Sequence, residues 1–185
     1  MTEFRGFTLI ELLVTLAIAA VMLGIAAPSF REFFIANSLA TQANELVTAL
    51  NIARSEAIKR GIRVTVCKTG DPAAASPACS TAANWQDGFI VFVDNTQVTG
   101  NSRGVVDGSD EVLRVFSALT GSTLSGGANF ARGISYLPSG ISRGILSGGG
   151  DGVADGTFSL CRSGKGRNIM INSTGRVRTE VVDAC

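Results

Sequence analysis

Histidine is missing altogether from this chain of 185 residues. With it go the Ser-His-Asp and Cys-His constellations, imidazole general bases and the commonest metal ligand. An excess of one charge is missing too. The 16 basic and 15 acidic residues leave a formal charge of +1, so no global field points to nucleic acid or to an acidic partner. Aromatic residues make up only 6% of the chain while glycine contributes 22 residues, a balance that suits a loop-rich β domain better than a helical bundle. The four cysteines, Cys67, Cys79, Cys161 and Cys185, include no C-x-x-C pair, which argues against a zinc knuckle and a thioredoxin-like site. No metal cluster, nucleotide fingerprint or nucleophile–base set is recognisable. The chain therefore reads as a non-enzymatic protein without a cofactor or metal, long enough for one ordinary domain plus a terminal appendage.

What is present begins at the amino terminus with "RGFTLIELLVTLAIAAVMLGIAAPSF", residues 5–30. From Phe7 to Ala27 the only ionisable residue is Glu11, and these 21 residues would extend about 31 Å as a helix, close to the hydrocarbon thickness of a bilayer. The stretch predicts one transmembrane helix, with Arg5 favouring a cytoplasmic amino terminus. A cleaved secretory signal fits less well, because the apolar core starts with an acid and cleavage near Ala27 would leave Pro28 at the new terminus. A carboxylate at the bilayer centre costs about 2.5–3.5 kcal/mol, somewhat less near the edge, and calls for a cationic partner. The span offers none. Pro28 also removes the hydrogen bond to the Gly24 carbonyl, which predicts a weak point in the helix there.

After Pro28 the helical pattern resumes. Leu39, Ala43, Leu46, Leu50, Ala53 and Ala57 form one apolar stripe, Lys59 and Arg60 lie in the last turn, and Gly61 supplies a left-handed stop. Beyond it the pattern turns strand-like: an alternation over 62–67, then "GFIVFVD" (88–94), "EVLRVF" (111–116), "GISYLP" (133–138), "TFSLC" (157–161), "NIMIN" (168–172) and "RVRTEVV" (176–182). One helix packed on antiparallel sheet predicts an α+β head. "SGGGDGVADG" (147–156) reads as a flexible loop. Asp94, Asn95, Asp107, Asp110 and Glu111 read as a solvated loop, since no EF-hand register connects them.

An even number of cysteines behind a membrane-targeting segment suggests disulfides formed in an oxidising compartment. Of the three possible connectivities the preferred one joins Cys67 to Cys79 across a Pro/Ala/Ser loop and Cys161 to Cys185 at the last residue, each worth roughly 3 kcal/mol by loop entropy. Between Cys161 and Arg178 stand Arg162, Lys165, Arg167, Arg176 and Arg178, with no acid among them. Arg176 and Arg178 would share one face of a strand at about 7 Å, near the spacing of successive phosphates. "SGKGR" would let backbone amides approach an anion, and a Cys161–Cys185 bridge would hold all five cations in one neighbourhood.

Several of these stretches resemble known families. Gly6-Phe7-Thr8-Leu9-Ile10-Glu11 ahead of a hydrophobic helix resembles the class III signal of type IV pilins and type II secretion pseudopilins. The resemblance implies cutting after Gly6 by a prepilin peptidase, N-methylation of Phe7, and pairing of Glu11 with the freed α-amine of Phe7 on a neighbouring subunit. "RSEAIKRG", "VTVC", "WQDGFIVFVD" and "EVLRV" resemble the GspH/FimT family of minor pilins and pseudopilins over roughly residues 5–116. This implies a type IV pilin-like fold with a leader at 1–6, a transmembrane helix segment at 7–30 and a periplasmic head at 31–185, divided into an amphipathic helix (31–60) and a β-rich part (61–185). Gly175-Arg176-Val177-Arg178 is similar to a Gly-Arg-x-Arg element of FimT-like pilins, which implies sequence-tolerant binding of double-stranded DNA, for natural transformation, by the basic residues above. The expected location is the bacterial inner membrane in a single pass, and a pilus, at its tip, after assembly. The expected partners are other pilin or pseudopilin subunits, the prepilin peptidase/N-methyltransferase and the inner membrane. The alternative is a minor pseudopilin of a type II secretion system that does not bind DNA.

Overall fold

The computed structural model describes residues 7–108 and 110–185, with the side chains of 25–29 outside the described set. The chain divides into two compact units, Met1–Asn37 and Ser38–Cys185. Its first element, helix α1 (Leu9–Arg60), is a single α-helix whose backbone stays helical through position 28, so the weak point expected at Pro28 is not a break in this state. The helix ends where expected. Gly61 takes a left-handed φ of 66° and its N–H caps the Ala57 carbonyl at 3.0 Å.

Nine strands follow among the described residues. A five-stranded antiparallel sheet is ordered β3-β2-β1-β5-β6, from β1 (Val64–Lys68), β2 (Phe89–Val93), β3 (Glu111–Phe116), β5 (Gly133–Tyr136) and β6 (Ser142–Ile145). A four-stranded sheet is ordered β4-β7-β8-β9, from β4 (Thr123–Ser125), β7 (Gly156–Arg162), β8 (Lys165–Ile171) and β9 (Val177–Val182). The helical stripe read from the sequence is the core seam: Leu39, Ala43, Leu46, Leu50, Ala53 and Ala57 are all buried. In the second sheet only one face is buried, carrying Leu124, Phe158, Leu160, Ile169 and Ile171, while Thr157, Ser159, Arg178 and Glu180 lie exposed on the other.

The first sheet breaks the expected alternation. In β1 the residues Val64–Cys67 are all buried, and so is every residue of β2, because both faces are covered. Tyr136, opposite Val64, lies on the face that meets α1, close enough to Arg54 to feel its charge. The other face carries Cys67, Ile90 and Phe92, packed against Val112 of β3 and roofed by Cys79 and Val106 from two loops. The Cys67–Cys79 bridge closes one of those loops, with Cα atoms 5.6 Å apart.

Two arginines fasten the head half of α1 to the second sheet. Arg162, at the end of β7, donates from one nitrogen to the Ser38 hydroxyl and to the Thr120 carbonyl. Sixteen residues along the helix, Arg54 donates to the Thr174 carbonyl at 3.1 Å, in the β8–β9 turn. Arg60 adds an ion pair to Glu111 of β3.

Candidate functional site

The residues singled out from the sequence occupy two regions. At the start of α1, Gly6 lies outside the described residues and the Phe7 side chain is 80% exposed. Thr8 precedes the helix and engages Glu11 reciprocally. The Thr8 backbone N–H and hydroxyl each donate to Glu11 Oε2 at 3.4 Å, and the Glu11 N–H donates to Thr8 Oγ1 at 3.3 Å. This is a capping box, which satisfies amides that the first helical turn leaves without partners. Thr8 was missed in the sequence, although its T-x-x-E spacing is the signal that finds it. The box also refines the question of the stranded acid: among the described residues the carboxylate meets neutral donors, at long distance, and pairs with no cation. Leu9, Ile10, Leu12, Leu13, Val14 and Leu16 after it are exposed in the single chain. Among the described residues, no helix is long and apolar enough to cross a membrane. The span read over 7–27 includes residues 25–27, whose side chains are not described.

The second region is the four-stranded sheet, where the structure divides the five cations. Arg162 and Lys165 face each other across a two-residue turn, Ser163–Gly164, whose residues take φ of 51° and 78°. "SGKGR" is therefore not a phosphate loop: its first two residues make the hairpin turn, and Lys165–Arg167 are already strand. Strand alternation puts Arg162, Lys165 and Arg167 on the inward face, Arg167 half-buried between Leu160 and Val181. Arg176 and Arg178 are exposed. Arg178, paired with Met170, projects from the outer face, and Arg176 continues that row through the hydrogen bond from the Asn172 N–H to its carbonyl at 3.1 Å. Five residue steps along β8 separate Lys165 from Arg178's partner, about 17 Å. The Cys161–Cys185 bridge is present, yet the five cations do not form one neighbourhood.

The acidic loop is not simply solvated. Asp94 is 1% exposed, accepting from Thr65 Oγ1 at 2.6 Å and from the Gly104 N–H at 2.9 Å, with Ser135 Oγ 2.7 Å from the same threonine hydroxyl. Burial pushes its carboxyl above the usual aspartate range, against those two hydrogen bonds, which favour the charged form. The loop folds over the first sheet, with Asp110 accepting from the Asn95 and Asp107 N–H groups. Among the described residues no cluster of three or more His, Cys, Asp or Glu could hold a metal ion. The glycine-rich loop at 147–156 is likewise anchored, by Asp151, which pairs with Arg63 and Arg103 at 3.0 Å each.

Comparison with known proteins completes the description. A family profile described as type II transport protein GspH matches residues 42–175, and one described as the prokaryotic N-terminal methylation motif matches residues 1–27. The first match stops one residue before Arg176. No curated protein matches. Among solved structures, the type IV minor pilin FimU of Pseudomonas aeruginosa is similar in two crystal forms. One gives a TM-score of 0.54 at 21% identity, covering 83% of this chain and 98% of that one. The other gives 0.51 at 21% identity, covering 80% and 99%. At that identity the likeness shows the fold: a long helix packed on antiparallel sheet.

Proposed function

Because the chain belongs to the GspH family, whose members are pilin and pseudopilin subunits, we propose that it is a structural, non-enzymatic minor subunit of a type IV pilus, built into the filament through α1. The observation that carries this reading is the juxtaposition of Phe7, Thr8 and Glu11 at the head of one uninterrupted helix. The leader is cut after Gly6 by the prepilin peptidase, which N-methylates Phe7, and residues 7–27 hold the subunit in the inner membrane with its head in the periplasm. Glu11, held by Thr8 with weak neutral bonds, exchanges them for the α-amine of Phe7 on the neighbouring subunit. In hydrocarbon two such charges strongly favour contact, so the pair sets the axial register of assembly.

Two measurements test this. The mature amino terminus, read by mass spectrometry of the native protein, is expected to be N-methylated Phe7; a start at Met1, or at Pro28 or beyond, refutes it. Glu11→Ala is expected to leave membrane insertion intact and to reduce incorporation into filaments, scored by shearing and immunoblotting. Incorporation at the wild-type level removes the role assigned to the acid.

DNA capture is an added activity of the same scaffold. What supports it is narrower than the sequence implied: only Arg176 and Arg178 remain as an exposed outer pair, and neither makes an ion pair among the described residues. The full chain in neutral detergent is expected to shift duplex DNA in a gel, with a log–log salt slope of about −0.9 per phosphate neutralised. Arg176→Gln with Arg178→Gln should abolish most of the shift; wild-type binding by that variant rejects the site. The pseudopilin reading, favoured by the family description, predicts no shift at all and a secretion defect on deletion.

A further inference from the structure

The division of the basic residues leaves Arg162 without a part in the outer pair, and its surroundings are those of a binding pocket. An open cleft of about 410 Å³ lies between the β7–β8 turn and the segment entering β4, walled by Ser122, Thr123, Arg162, Ser163 and the Cys161–Cys185 bridge. The Arg162 guanidinium lies against Gly121, 3.4 Å from where a β-carbon would stand there, an ordinary van der Waals approach. Its hydrogen bonds, to Ser38 Oγ and the Thr120 carbonyl, go to neutral oxygens, and it makes no ion pair among the described residues. A second feature points the same way. Ser122 is 8% exposed, and its hydroxyl oxygen is buried without a hydrogen-bond partner among the described residues. A buried unpaired hydroxyl has given up its bonds to water without replacement and marks a group waiting for a ligand or water.

A fixed guanidinium with hydroxyls of Ser122, Thr123 and Ser163 around the same cleft is the donor set for a tetrahedral oxyanion, offering charge from one side and hydrogen bonds from others. The chain supplies a source for it. Ser38, which Arg162 holds, stands only eleven residues of sequence after Ala27, the end of the span read from the sequence. We propose that this cleft binds the phosphate of an anionic phospholipid head group, so that the head grips the membrane surface through Arg162 and Ser122 before the subunit is extracted into a filament. The lipid as source rests on the reading of residues 7–27 as a bilayer span; the oxyanion chemistry of the cleft does not.

The test titrates the full processed chain, in neutral detergent micelles, with dihexanoyl phosphatidylglycerol and, separately, with inorganic phosphate, following backbone amide resonances by NMR. Saturable shifts around Ser122 and Ser163 with the lipid are expected, with affinity at least tenfold lower for Arg162→Gln. Since Arg162 also fastens α1, Ser122→Ala provides the independent arm: with no protein partner to lose, it should keep the wild-type melting temperature and bind the lipid at least threefold more weakly. Arg176→Gln with Arg178→Gln should bind it as wild type. No saturable response to the lipid, or wild-type affinity in Ser122→Ala, overturns the proposal, and a response to inorganic phosphate alone overturns the lipid assignment. A mature terminus at Pro28 or beyond would refute the span while leaving the phosphate titration to stand by itself.

Discussion

The two disulfides allow a comparison in which loop entropy and packing pull in opposite directions. Cys67–Cys79 closes 12 residues of sequence and Cys161–Cys185 closes 24. Loop entropy alone assigns about 2.8 kcal/mol to the first and about 3.4 kcal/mol to the second, so the longer loop should matter more. The burial of the sulfurs reverses the order. Cys67 is 1% exposed and sits against Ile90 and Phe92, whereas Cys185 is exposed. Replacing Cys67 by serine sets a hydroxyl in that apolar contact, which costs about 1–3 kcal/mol beyond the loop term. The pair Cys67→Ser with Cys79→Ser is therefore expected to lose about 4–6 kcal/mol, and Cys161→Ser with Cys185→Ser only about 3 kcal/mol. At about 2–4 °C per kcal/mol for a domain of this size, thermal unfolding followed by circular dichroism resolves the difference. If the second pair is destabilised as much as the first, or more, the packing argument is wrong.

Asp94 gives a pH signature. Its folded pKa is raised from 3.8 by burial, so the stability tied to its protonation is fully present below that value and is lost as pH rises through the folded one. Asp94→Asn, which stays neutral throughout, should gain most over wild type at pH 7, with the gap in melting temperature narrowing as pH falls towards 4. A gap independent of pH would show that the carboxyl is not perturbed. Along the helical seam, Leu46→Ala should cost about 2–5 kcal/mol by urea denaturation, while Asn51→Ala on the exposed side should stay within about 0.5 kcal/mol. Equal losses at the two positions would mean that the seam is not the core.

The helix and its stop were legible because they rest on local rules: a 3.6-residue period through Leu39, Leu46 and Leu50, and a glycine free to take positive φ at 61. β4 and β6 were not. Thr123–Ser125 is three residues long and Ser142–Ile145 carries serine, arginine and glycine, so neither shows an apolar signature, and both are strands only because neighbours pair with them. The acidic loop was misjudged for a related reason. Its carboxylates look solvated in sequence, and nothing local reveals that Val106 roofs the first sheet and that the same loop brings the Gly104 N–H to a buried Asp94. The grouping of the five cations failed on parity. The two-residue turn at Ser163–Gly164 fixes which residues of β8 face inward, and with them Lys165 and Arg167, a register set by pairing and not by spacing.

The two arginine clasps at Ser38 and Thr174 have a mechanical consequence. Because they lie sixteen residues apart along α1, on either side of the buried residues Leu39 to Ala53, tension applied along the helix axis falls on both together and on the apolar seam between them. Such an arrangement is loaded in shear, and its parts share the force where a joint peeled from one end would surrender them in turn. A subunit held this way would stay intact up to a threshold and then let go of its helix in a single step.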